Sequence, residues 1–275
     1  MNISIVGLGL IGASIAKSIK KYTEHTVIGF DTDADVLSRA ITDGTIDRIG
    51  NDDALSESDV TIIAIYPAAT IEFVKSKAQY IKKGSIVTDT CGIKRDICKI
   101  LTDIADNYDF TFIGAHPMAG KETSGYESSD ADLFKNAFMI LIPQAASQEQ
   151  VSILEKLSYD MGFKGVTVST PEEHDRIIAY TSQLPHILAC CYISDPDAVR
   201  HTGFSAGSYK DVSRVATINA KMWRELFLQN ADYLTGHIDM LIENLNRMKS
   251  YIDNADGDNL EKMLDDGDKI KRRIG

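Results

Sequence analysis

The sequence predicts an α/β protein in which a doubly wound, mostly parallel sheet is followed by an all-α domain. Three observations carry this. From Met1 to about Pro143, short β-branched apolar runs alternate with longer segments of helical spacing, the pattern of βαβ units. A glycine-rich turn containing Gly7, Gly9 and Gly12 joins the first such run to the first helical segment. After Pro171 the β-runs almost vanish and long helical patterns take over.

Each predicted strand is a short run that two covered faces would make wholly apolar. In order they are Ile3 to Val6, Val27 to Phe30, Val60 to Ile65, Ile86 to Thr88, Thr111 to Ile113 and Phe138 to Ile142. Between them helical spacing runs from Ile11 to Lys20, Ala34 to Thr42, Thr70 to Ile81 and Arg95 to Ala105. Glu149 to Met161 reads as a further amphipathic helix, followed by a strand at Gly165 to Val168. A boundary near Thr170 divides a sheet domain, residues 1–170, from a helical domain, residues 171–275. The second domain is expected to hold helices from Glu172 to Ser194 and from Lys210 to the C-terminus, with a turn at Asn254 to Leu260. The basic run Lys269 to Arg273 reads as the solvated end of a last helix, where cations suit the dipole.

A chain of 275 residues with 44% hydrophobic and 25% charged residues is expected to be a soluble globular protein with a sizeable core. A net charge of −11 speaks against nucleic acid or an anionic membrane as the main partner. It leaves room for a small anionic ligand held by a few local cations. Cys91, Cys98, Cys190 and Cys191 lack CxxC spacing and the density of a secreted disulfide scaffold, so a reducing cytoplasm is expected and no metal centre is. Lys17, the first basic residue, follows the apolar N-terminal run, the wrong order for an export signal. No stretch reaches the roughly 18 apolar residues of a membrane span.

The three glycines spell GxGxxG directly after a strand and at the start of a helix, the context of a Rossmann-type dinucleotide site. Gly7 permits the tight turn, Gly9 lets a pyrophosphate approach the helix N-terminus, and Gly12 allows close helix–strand packing. Gly7, Gly9, Leu10, Ile11 and Gly12 are therefore expected at the cofactor, against the alternative of a glycine-rich turn with no ligand. Asp31 ends the second strand, 19 positions after Gly12. A carboxylate there accepts both hydroxyls of an adenosine ribose and repels a 2′-phosphate, so NAD is expected rather than NADP. The alternative for Asp31 is a capping role, which Asp33 could fill instead.

Ligands of a doubly wound sheet bind beyond the carboxyl ends of the strands, which singles out two loops, Asp89 to Lys94 and Gly114 to Gly125. The second carries His116 beside a proline among small residues. A neutral imidazole there could take a proton from a substrate hydroxyl while a nicotinamide takes hydride from the same substrate. Its pKa would have to lie near or below neutrality.

In the helical half, Asp175, Ser182 and His186 are spaced by seven and four, so one helix face could present all three, with Pro185 as a kink. His174 reads as a surface or capping residue, and His186 as either a core histidine or a site residue. Arg214 is either a carboxylate clamp or the partner of Asp211 at i, i+3. Trp223 reads as core packing with Met222 and Phe227. Together with Leu226, Leu241 and Met248 these exceed what one thin layer would bury, and a homodimer of intertwined helices is expected.

Taken together, GxGxxG at Gly7, DxxGxK at Asp89, HPMxGxExSG at His116, His174-Asp175, SQLPH at Ser182 and KDxxR at Lys210 resemble the prephenate and arogenate dehydrogenases of tyrosine biosynthesis. The resemblance spans nearly the whole chain. It implies an oxidative decarboxylation: hydride passes to NAD from the ring carbon bearing the 4-hydroxyl, carbon dioxide leaves the opposite carbon, and the ring becomes aromatic. On this likeness His116 deprotonates or hydrogen-bonds the 4-hydroxyl, Arg214 and His186 bind substrate carboxylates, and Glu122 with Asp175 organises or gates the pocket. Ser182 falls among the substrate-binding residues, and Asp89, Thr90 and Lys94 join the cofactor set. Many members carry a serine two positions before the lysine to orient the histidine. Here that position is Gly92, so either Thr90 or Cys91 supplies the hydroxyl or thiol, or the histidine is held differently.

Lys121 would add a cation beside the substrate, which favours prephenate over arogenate, whose side chain carries an ammonium. A tyrosine effect, if any, is expected at the active site, because the chain leaves no room for an appended regulatory domain. The alternatives are arogenate dehydrogenase, a pyrroline-carboxylate or imine reductase of the same two-domain plan, and an NAD-binding protein without chemistry.

Overall fold

The computed structural model describes all 275 residues. Eight strands form one sheet: β1 (Asn2–Val6), β2 (Thr26–Phe30), β3 (Arg48–Ile49), β4 (Val60–Ile63), β5 (Ile86–Asp89), β6 (Thr111–Pro117), β7 (Phe138–Ile142) and β8 (Gly165–Val168). Their order is β3-β2-β1-β4-β5-β6-β7-β8. The chain winds outward from β1 in both directions, so the crevice between the carboxyl ends of β1 and β4 is the topological switch point where such sheets bind ligands. The connecting helices are α1 (Leu10–Tyr22), α2 (Ala34–Thr42), α3 (Asp52–Glu57), α4 (Pro67–Lys77), α5 (Arg95–Tyr108) and α6 (Gln148–Asp160).

Alternation along the strands splits the core in two. Ile62 belongs to a cluster with Ile3, Ile5, Ile15 and Leu154, whereas its neighbour Ile63 belongs to one with Val6, Val74 and Ile97. Helices α1 and α6 thus cover one face, and α4 and α5 the other. Ile3, Ile5 and Ile28 are wholly buried, each contributing roughly 1.5–3 kcal/mol by transfer out of water.

β3 and α3 are not among the elements the sequence predicts; a two-residue strand is too short to show a period. The strand expected at Thr111 to Ile113 continues to Pro117. Its first half pairs parallel with β5, and its second half pairs antiparallel with β7, His116 opposite Ile140. His116 therefore stands on a strand and not on a loop.

From Pro171 onward only helices follow: α7 (Pro171–Ile178), α8 (Leu184–Tyr192), α9 (Gly207–Ser213), α10 (Ala220–Gln229), α11 (Ala231–Asp253) and α12 (Gly257–Ile274). The helix expected from Glu172 to Ser194 is interrupted by a π turn at Ala179–Gln183, closed by the Leu184 N–H on the Ala179 carbonyl. Pro185 is the cause: it has no N–H, and its ring would strike the carbonyl of Thr181 in a regular helix. The pattern from Lys210 is likewise several helices. Asn219 caps α10 by accepting from the Met222 N–H, and Asp256 caps α12, which shortens the expected turn to a few residues. No residue of α12 is buried, and Met240, Leu245, Ile252, Leu264 and Ile270 are more than half exposed.

Candidate active site

The glycine turn has the geometry its spacing requires. Gly7 has φ +90°, and a Cβ on Gly12 would lie 1.9 Å from the Gly7 carbonyl oxygen. At Gly9, which begins α1, a Cβ would meet nothing within 4 Å. Open space thus lies against a helix start whose first N–H groups, from Leu10 to Gly12, have no intrahelical acceptor. That cradle suits a pyrophosphate.

Asp31 stands at the rim of the turn. Its Oδ2 accepts the Leu8 N–H at 2.7 Å and its Oδ1 the Asp33 N–H at 3.0 Å, which pins the carboxylate and leaves lone pairs for ribose hydroxyls. Asp33 takes the capping role on α2, accepting from Asp35 and Val36.

His116 is half-buried, and its Nδ1 lies 2.9 Å from Nε2 of His174. His174 is buried, and its Nδ1 lies 2.7 Å from Oδ1 of Asp175. This corrects two expectations, since His174 is no surface or capping residue and Asp175 is not open to a substrate. Asp175 instead reaches from α7 to the N-terminus of α5, accepting the Lys94 and Arg95 N–H groups at 2.8 and 3.0 Å and Nε of Arg95 at 3.3 Å. Burial would raise its pKa, but the bonds from His174 and the two N–H groups outweigh burial and hold it below the ordinary value. Burial, the neighbouring His174 and the Lys94 cation push the His116 pKa well below that of a free imidazole. The neutral base form is the one the site favours.

Lys94 and Asp89 are also not where a cofactor could touch them. Both side chains are wholly buried and paired at 2.5 Å, with Asp89 further accepting the Cys91 and Ala115 N–H groups. Asp89 keeps Lys94 charged against the cost of burial, which acts the other way. Thr90 is half-buried just beyond β5, its N–H on the Ile63 carbonyl. The Cys91 thiol turns away toward Thr70 and the Ile65 carbonyl. A Cβ on Gly92 would sit 3.9 Å from Cε1 of His116 and 3.5 Å from Leu226.

The helical half supplies a second cluster. Arg214 ends α9 and pairs with Glu122 of the sheet domain at 2.7 Å, and not with Asp211. Both partners are largely exposed, so the pair is open to exchange. His186 packs on Trp223, ring centroids 3.9 Å apart, and its Nδ1 meets the Val215 carbonyl at 2.7 Å, which makes Nδ1 the protonated nitrogen and leaves Nε2 free. Burial first, and then the Arg214 charge, lower its pKa against that hydrogen bond. Trp223, expected as core, is thus only partly buried and shapes this cluster. Lys121 does not join it: the ammonium reaches the Ser128 carbonyl and Asp130 on its own loop. Ser182 is half-buried in the π turn, which breaks the face it was expected to share with Asp175 and His186.

Sequence profiles place these two clusters in a known family. The profile described as "Prephenate dehydrogenase, nucleotide-binding domain" matches residues 15–167, and that described as "Prephenate dehydrogenase, dimerization domain" matches residues 170–266. The chain belongs to the prephenate dehydrogenase family. It is 31% identical to prephenate dehydrogenase of Lactococcus lactis subsp. cremoris over 99% of this chain and 77% of the relative. It is 30% identical to cyclohexadienyl dehydrogenase of Zymomonas mobilis over 98% of this chain and 94% of the relative. The crystal structure of prephenate dehydrogenase from A. aeolicus in complex with hydroxyphenyl propionate and NAD+ superposes with a TM-score of 0.87 at 27% identity, covering 100% of this chain and 98% of the other.

Relative to the family pattern, the departure at Gly92 now has a physical reading, because neither Thr90 nor Cys91 makes a side-chain bond to His116. The histidine is held from the other domain, by His174. No local sequence pattern marks Arg95 and Asn230 either. Arg95 grips Asp232 of α11 through two nitrogens at 2.6 and 2.7 Å, and buried Asn230 donates to the Asp175 carbonyl. No spacing rule joins residues this far apart in sequence; only the fold brings them together.

Proposed function

We propose that this chain is an NAD-dependent prephenate dehydrogenase that converts prephenate to 4-hydroxyphenylpyruvate, with His116 as catalytic base. The observation that carries the reading is His116 near the carboxyl end of β6, on the ligand-binding edge of a dinucleotide fold, with its Nδ1 held 2.9 Å from His174. The open cradle at Gly9 and the pinned carboxylate of Asp31 fit NAD, which when bound supplies the hydride acceptor. Gly7, Gly9, Leu10, Ile11, Gly12, Asp31 and Thr90 are the residues proposed to hold it.

As hydride leaves the ring carbon bearing the hydroxyl, Nε2 of His116 takes the hydroxyl proton. When the bond to the ring carboxylate breaks, carbon dioxide departs and its electron pair completes the aromatic ring. The phenolate oxygen then takes the proton back. Arg214 binds a substrate carboxylate bidentately after exchanging Glu122 for it. Nε2 of His186, a bare acceptor because Nδ1 holds the ring proton, does not share in binding a carboxylate, against the expectation from the resemblance. Trp223 beside His186 walls the cluster.

Prephenate is preferred to arogenate because the profiles over both domains and the Lactococcus lactis relative at 31% identity bear that name. Lys121, tied to its own loop, gives no reason for the preference. The exposed apolar side chains of α11 and α12 support a homodimer through the helical domain, and the cysteine usage supports a cytoplasmic site. Steady-state rates with NAD and each substrate test the proposal: NADH is expected from prephenate, and a large preference for arogenate would overturn the assignment. A monomeric mass at micromolar concentration would remove the dimer.

A further inference from the structure

We propose that His174, anchored by Asp175, is the positioning residue that sets the orientation and tautomer of His116, in place of any side chain on the 89–94 loop. This rests on the reading of His116 as the base. The direction of every bond in the series follows from its buried end. Asp175, whose oxygens already face two backbone N–H groups and an arginine, is ionised and can only accept. His174, kept neutral by its burial, must then carry its one proton on Nδ1, which leaves Nε2 as an acceptor. The 2.9 Å contact to His116 can only be filled by a proton on Nδ1 of His116. Nε2 of His116 is thereby left as the bare lone pair that a base requires.

The anchor is rigid. His174 and Asp175 are 2% and 1% exposed, so water cannot replace either partner. Asp175 caps the 14-residue helix α5 from the opposite domain, and Asn230 holds its main-chain carbonyl at 2.9 Å. The other charged groups near the pair are Arg95, which bonds both Asp175 and Asp232, and the buried ion pair of Lys94 with Asp89. On the side of the ring facing the loop, Gly92 presents no side chain at all. The productive state of His116 therefore depends on the two domains being docked, because His116 lies on β6 and its holder on α7.

The test reads the imidazoles directly. In the ligand-free chain labelled with 15N-histidine, the His116 signal, assigned by its loss in His116→Asn, is expected to show the Nδ1–H tautomer. His174→Ala should turn it into a mixture. In the same variant kcat should fall about 100-fold, the low end of what a positioned base contributes, with KM for NAD unchanged. His174→Gln, whose amide oxygen accepts the same proton, should recover most of the loss. An Nε2–H tautomer in the parent chain would overturn the proposal, as would a folded His174→Ala with unchanged kcat, or a His174→Gln no better than alanine. Should the parent chain form no NADH from prephenate, the assigned reaction fails while the spectra still decide the relay.

Discussion

Replacing Lys94 by methionine keeps the length of the side chain and removes its charge from a site that water does not reach. Its partner Asp89, also wholly buried, would keep two backbone N–H donors, from Cys91 and Ala115, and lose its only counter-charge. Breaking a buried pair on one side typically costs about 3–5 kcal/mol, because the remaining ion has been stripped of water. Against a total stability of roughly 5–15 kcal/mol that is a large fraction. Urea denaturation should show a lower midpoint at unchanged slope. Adding Asp89→Asn removes the orphaned charge while an amide oxygen still faces an N–H group, so the double variant should lose less than the sum of the singles by about 2 kcal/mol. A second consequence concerns the site. Lys94 helps hold the His116 pKa down, so in Lys94→Met the acid limb of kcat/KM should move to higher pH. A cost under about 1 kcal/mol together with an unmoved acid limb would refute the view that this pair is a structural tie whose lysine also helps hold the His116 pKa down.

Arg214→Gln should raise KM for prephenate about 10- to 100-fold, the equivalent of one charge-assisted hydrogen bond, and leave KM for NAD unchanged. Glu122→Gln releases Arg214 from its ion pair and should shift the same constant downward, by a smaller factor. His116 and His174 both have folded-state pKa values below the free value of about 6.5, so below that pH the unfolded chain binds more protons than the folded one. Their contribution to stability is therefore complete above pH 6.5 and is lost as the pH falls toward the folded values, a decline that melting temperatures between pH 7 and pH 5 would reveal. Gly12→Ala sets a Cβ 1.9 Å from the Gly7 carbonyl and should abolish NAD binding by equilibrium dialysis.

What the sequence shows and what it hides divide along a physical line. The glycine turn is legible because each glycine answers a local demand: a positive φ at Gly7, a missing Cβ at Gly9, and a helix packed on a strand at Gly12. Asp31 is legible for the same reason, since the end of β2 fixes its place. The helical half is coarser, because helical spacing continues across Pro185 and Asn219 although the backbone does not. His174 is hidden altogether. Nothing within its own helix separates a histidine that faces solvent from one that faces another domain, and its partner lies 58 positions away. Lys94 misleads for the opposite reason: a lysine beside a ligand loop reads as a ligand contact until the fold supplies a buried carboxylate that claims it. The long-range contacts are thus what turn a recognisable dinucleotide fold into a base with a defined lone pair. Gly92 shows how this can mislead a motif-based reading: a missing hydroxyl on one loop looks like lost catalysis, but the imidazole it would have touched is held from the other side by a residue that no local pattern marks.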